Sequence, residues 1–97
     1  MNDSNSTERK PLEATFVNFL ATLRLQILVC LGHVPDPATK TRKRNLEQAR
    51  YLIDILQILQ KKTAGNLDET EEKALQGILY EAQMRYVQAV DQERAAT

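Results

Sequence analysis

The 97-residue chain predicts an all-α fold: a three-helix domain with a long first helix laid along an antiparallel helical hairpin, completed by oligomerisation. Three observations lead there. Apolar residues recur at helical spacing in three stretches. Only three glycines and three prolines are present, leaving few sharp turns for a multi-stranded sheet. The apolar faces of the first two stretches are wider than one small neighbour covers, and large exposed apolar patches are rare on monomers.

The expected domain spans residues 12–91, with helices at about 12–31, 45–63 and 68–91. A chain this short forms one domain and buries roughly 60 to 65% of its unfolded surface, so the core is modest. Residues 1–11, MNDSNSTERKP, are polar after Met1 and read as a disordered tail. Residues 92–97 read as a frayed end.

Phe16 to Leu31, FVNFLATLRLQILVCL, organises the rest. Leu12, Phe16, Phe19/Leu20, Leu23, Ile27 and Cys30/Leu31 form one stripe at helical spacing, and Val17, Ala21, Leu25, Leu28 and Val29 widen it. Gly32 supplies the left-handed residue that stops the helix. Arg9 and Lys10 ahead of an apolar run ending at Cys30 resemble a lipoprotein signal, but Val29 stands where a small residue is needed, and Asn18, Arg24 and Gln26 interrupt the run. A central Arg also costs about 2.5 to 3.5 kcal/mol in a membrane span. The expectation is a soluble, cytoplasmic protein with no membrane partner.

His33 to Arg44, HVPDPATKTRKR, is a loop by its own chemistry. Pro35 and Pro37 fix two φ angles and push Val34 and Asp36 towards extended backbone. Gly32, Pro35, Asp36 and Pro37 are its structural residues. Asn45 is a good N-cap for the second helix, whose face is Leu46, Ala49, Leu52/Ile53, Leu56 and Leu59, extended by Tyr51, Ile55 and Ile58. Gly65 ends it. Asp68 with Glu71 forms a capping-box start for the third helix, where the acidic cluster Asp68–Glu72 suits the helix dipole. Leu75, Ile78/Leu79, Ala82, Tyr86 and Ala89/Val90 make its core stripe, and Glu81 with Arg85 is an i,i+4 pair on the wet side.

Formal net charge is zero, which removes any global polyelectrolyte signal for nucleic acid or membrane. The distribution is less even. Residues 1–66 hold ten Lys/Arg against six Asp/Glu, and residues 67–97 hold three against seven. Such a dipolar chain can attract a neighbour's opposite end. One cysteine rules out an internal disulfide and fits a reducing compartment.

Several phrases together, LGHVPDP at 31–37, NLEQARYLIDILQILQKKTAGNL at 45–67, the acidic cap and LYEAQMRYVQA near the end, resemble the small bacterial family known as domain of unknown function 1844. The resemblance covers roughly Ala14 to Ala89 and implies a compact helical domain of bacterial origin. It implies no activity, because the family has none assigned. Where that family continues its Pro-Asp-Pro with an acidic or mixed stretch, this chain has Thr39 to Arg44, TKTRKR.

Few residues carry candidate chemistry. His33 and Asp36 lie three apart in the loop, but a closed metal site needs three or four ligands, so His33 is expected to help cap the first helix. Cys30 falls on the apolar stripe and reads as a small buried hydrophobe. No phosphate loop, catalytic carboxylate pair or Ser/His/Asp set can be assembled, and no catalytic residue, metal or cofactor is expected. Asp54, Tyr51, Tyr80 and Tyr86 read as polar specificity devices in the core. Lys40, Arg42, Lys43 and Arg44 could contact phosphates, yet no recognition helix or interleaved aromatics accompany them.

The expected function is therefore that of a non-catalytic interaction protein, a helical homo-oligomer and most simply a two-fold dimer. Core and interface candidates are Phe16, Leu20, Leu23, Ile27, Leu28, Leu31, Ile55, Ile58 and Leu59. A separate protein partner is compatible with the same faces. The alternative is a nucleic-acid-associated accessory protein acting through the basic 40–44 loop.

Overall fold

The computed structural model describes residues 13–96; the tail expected over residues 1–11 lies outside them. Three α-helices follow in chain order: α1 (Phe16–Cys30), α2 (Leu46–Lys62) and α3 (Glu69–Ala96). There is no strand among the described residues. Each helix packs on both others, so the core lies along the centre of a three-helix arrangement.

Local chemistry sets most of the ends. The Thr15 hydroxyl accepts the Asn18 N–H at 3.0 Å, and Asn18 Nδ2 donates to the Glu13 carbonyl at 2.9 Å. This cap starts α1 at Phe16 rather than near residue 12, because a Thr that satisfies an orphan N–H sits in extended backbone, as Thr15 does. At the other end Gly32 takes φ +78°. The His33 N–H bonds to the Leu28 carbonyl at 2.9 Å and the Gly32 N–H to that of Val29 at 3.0 Å. This is the paired closure of a Schellman stop, with Leu31 outside the helix as its cap.

Asn45 caps α2 by accepting the Gln48 N–H at 3.0 Å. Asp68 and Glu71 cap α3 reciprocally, at 2.8 and 2.9 Å. Gly65 adopts φ +82° in the turn between α2 and α3, giving the antiparallel hairpin that the six intervening residues, 63–68, favour.

The expected fraying after residue 91 is corrected: α3 continues to Ala96. Its last turns are tied down by Arg44, whose guanidinium reaches the Ala89 carbonyl at 3.4 Å and Gln92 Oε1 at 3.0 Å.

Leu20, Ile27, Leu31, Leu56 and Leu75 are the largest fully buried side chains. Burying each contributes about 1.5–3 kcal/mol relative to exposure. Leu23, Leu28, Leu52, Ile53 and Leu79 complete most of the core. The wide apolar face of α1 is thus covered chiefly by α2 and α3 of its own chain.

Candidate functional site

Three groups of residues could carry function: the loop after α1, a polar chain between α1 and α3, and the apolar side chains left on the outside.

The loop is built around Asp36. Its carboxylate accepts the Ala38 N–H at 2.8 Å, its N–H donates to the Thr41 carbonyl at 2.8 Å, and its own carbonyl accepts from the Lys40 N–H at 2.7 Å. Lys40 closes this turn at φ +61°, in left-handed backbone that a non-glycine residue adopts only when its surroundings impose it. The Asn45 N–H then reaches the Cys30 carbonyl at 2.7 Å, stitching the start of α2 to the end of α1.

The structure divides the basic run. Lys40, Arg42 and Lys43 are exposed. Arg44 is half-buried, and besides its bonds to α3 its Nε donates to the Leu31 carbonyl at 3.2 Å; Glu93 lies 4.0 Å away. Its donors serve the fold, so Arg44 leaves the phosphate-binding set. The sequence reading missed this because the partners lie 13 to 48 residues away.

His33 does not cap α1 through its side chain. Its backbone N–H does that, while Nδ1 meets Arg85 Nη1 at 3.1 Å. A guanidinium only donates, so Nδ1 accepts and the neutral ring carries its proton on Nε2. Burial, reinforced by the Arg85 and Arg44 charges, holds the His33 pKa below the usual imidazole value.

Arg85 continues to Glu81 Oε2 at 2.9 Å, and Arg24 grips both Glu81 oxygens at 2.9 Å each. The Glu81–Arg85 pair is therefore half-buried and shared with α1 rather than on the wet side. The Arg24 hydrogen bond, seconded by Arg85, pulls the Glu81 carboxyl down to about 2. In this chain of four side chains both Glu81 oxygens and His33 Nδ1 are taken up by guanidinium N–H groups, and the product is a clamp of α1 and the loop onto α3.

Cys30 is half-buried. Desolvation first, and Asp36 second, push its thiol up, so it stays protonated and unreactive at neutral pH. It lines a shallow groove with Leu25, Val29, Asp36, Pro37, Gln48 and Leu52, where the Asp36 carboxylate disfavours the thiolate instead of activating it. No group of three His, Cys, Asp or Glu able to hold a metal occurs among the described residues. No helix among them is long and apolar enough to cross a membrane.

Of the interface candidates, Leu20, Leu23, Ile27, Leu28 and Leu31 are buried within the chain, and Phe16, Ile55 and Leu59 are half-buried. Ile58 is 53% exposed. Tyr51 and Tyr80, expected in the core, are exposed at 58% and 67%, joined by Phe19, Leu25, Met84 and Val87. Asp54 is also exposed. The outer row of α3 went unread beside that helix's stronger inner stripe, although its spacing is visible in the sequence.

Comparison with curated proteins and with solved structures gives no match. A family model matches residues 13–88, more than half of the chain, which therefore belongs to the family described as a domain of unknown function, DUF1844.

Proposed function

We propose that this chain is a non-catalytic helical interaction protein whose working form contains a second copy of itself. One observation carries the reading: seven large apolar side chains, on all three helices, stay 46 to 67% exposed while the core between the helices is filled. Such side chains scattered singly would mean little. Here Tyr51 and Ile58 lie seven apart on the outside of α2, and Tyr80, Met84 and Val87 follow one another along the outside of α3. Aligned rows of this kind are what helix–helix association uses.

The clamp of Arg24, Glu81, Arg85 and His33 supports the non-catalytic reading, because its basic atoms, the Glu81 oxygens and His33 Nδ1, are already held by guanidinium donors. A reducing cytoplasm suits a protein whose single cysteine is a protonated thiol.

Sedimentation across two decades of micromolar concentration tests the proposal. A weight-average mass rising above that of one chain is expected, and a mass constant at one chain overturns it. The basic loop supplies the competing outcome: retention on DNA or RNA at low salt that disappears when Lys40, Arg42 and Lys43 become Gln would favour the nucleic-acid reading.

A further inference from the structure

The outer row of α3 reads Lys73, Gly77, Tyr80, Met84, Val87, Asp91. The intervals are 4, 3, 4, 3 and 4, the alternation of the two seam positions of a coiled coil. At about 1.5 Å per residue the row runs about 27 Å along the helix. It lies opposite the core stripe of Leu75, Leu79, Ala82 and Ala89. Tyr80, Met84 and Val87 are exposed at 67, 46 and 55%. A Cβ at Gly77 would meet nothing within 4 Å, so its surface is open for a second helix to approach closely.

From these positions we infer that α3 pairs with α3 of a second copy, antiparallel about a two-fold axis level with Ala82. The inference rests on the self-association proposed above and names the surface that performs it. The row is complementary to itself when reversed: Tyr80 meets the partner's Met84, Gly77 meets the partner's Val87, and Lys73 meets the partner's Asp91. Each pair of numbers sums to 164, so one register satisfies all three at once. A parallel pair would instead set Lys73 on Lys73 and Asp91 on Asp91. Charge thus selects both the partner and the orientation. Lys73 has an intrahelical contact with Glu69 at 3.2 Å, but both side chains are more than 70% exposed, and a pair of that kind yields readily to a better-placed carboxylate.

The outer row of α2 is the rival surface. Glu47, Tyr51, Ile58 and Lys62 can also be laid antiparallel on themselves, but that register brings the two Asp54 carboxylates together beside its axis, and like charges there oppose pairing. The α3 row has only Tyr80 and Met84 near its axis. A single seam of this length falls at the small end of the interface size range, the class to which weak, transient contacts belong.

The test is sedimentation velocity on the full chain and a panel of variants, with circular dichroism as the folding control. Met84→Glu is expected to weaken association about 30-fold or more with helicity unchanged, and Ile58→Glu to leave association intact. Lys73→Glu and Asp91→Lys are each expected to weaken association, and an equimolar mixture of the two to restore it as a heterodimer. A wild-type chain that stays monomeric overturns both this inference and the proposed function. A wild-type dimer that resists Met84→Glu but dissociates with Ile58→Glu overturns the inference alone, as does failure of the mixture to recover.

Discussion

Helices α1 and α3 divide the labour in the reverse of what their compositions suggest. The most apolar helix, α1, sends Leu20, Leu23, Ile27 and Leu28 into its own chain's core and leaves only Phe19 and Leu25 as large apolar groups in solvent. The more polar α3 carries three, in one row. A wide apolar face on a helix can therefore be covered within its own chain, whereas a short apolar row on a polar helix marks a surface its own chain does not use.

Substitutions should separate the two. The largest effect falls on the inner face: Leu20→Ala or Leu56→Ala, each removing a fully buried side chain, should lower stability by about 2–5 kcal/mol in urea unfolding. Met84→Glu on the outer row, measured at a concentration where the chain is monomeric, should stay within about 0.5 kcal/mol of wild type. If the two substitutions destabilised the monomer equally, the division between covered and uncovered faces would be wrong.

An intermediate effect is expected at Arg44. Arg44→Ala strips partners from the Leu31 and Ala89 carbonyls and should lower stability by about 1–3 kcal/mol. Amide exchange should accelerate selectively over the last two turns of α3, and uniform acceleration would remove Arg44 as the anchor of that end.

A smaller effect belongs to the clamp. Glu81 has a folded-state pKa of about 2 against an ordinary 4.5, so the native state binds fewer protons between those values. Its contribution is complete above about pH 4.5 and is lost as pH falls towards 2. With the side chains partly exposed the contribution is about 1 kcal/mol after solvent screening. Arg24→Ala should shrink that acid-side loss, and an unchanged pH profile would show that the clamp adds nothing. His33 acts in the same sense at higher pH. Its folded pKa lies below the ordinary 6.5, so stability should decline as pH drops beneath that value, and His33→Gln should flatten this limb.

What could be read without the structure was whatever depends on a few adjacent residues. Asn45 capping Gln48, Asp68 with Glu71, and the glycine stops at 32 and 65 are local chemistry, and local chemistry sets helix ends. Two ends escaped. Thr15 was overlooked because Leu12 continues the apolar period beyond the cap, and the end of α3 was misplaced because its stabilising partner, Arg44, is 45 residues away from Ala89. The Arg24–Glu81 contact spans 57 residues and has no local signature. Tyr51 and Tyr80 were assigned to the core by residue type, which records a preference for burial but not which face of a helix the chain covers.

Sedimentation equilibrium of the wild-type chain tests the central claim most directly. The account predicts a weight-average mass that climbs with concentration from 11.1 kDa towards twice that value. A mass that holds at 11.1 kDa throughout the micromolar range would contradict it.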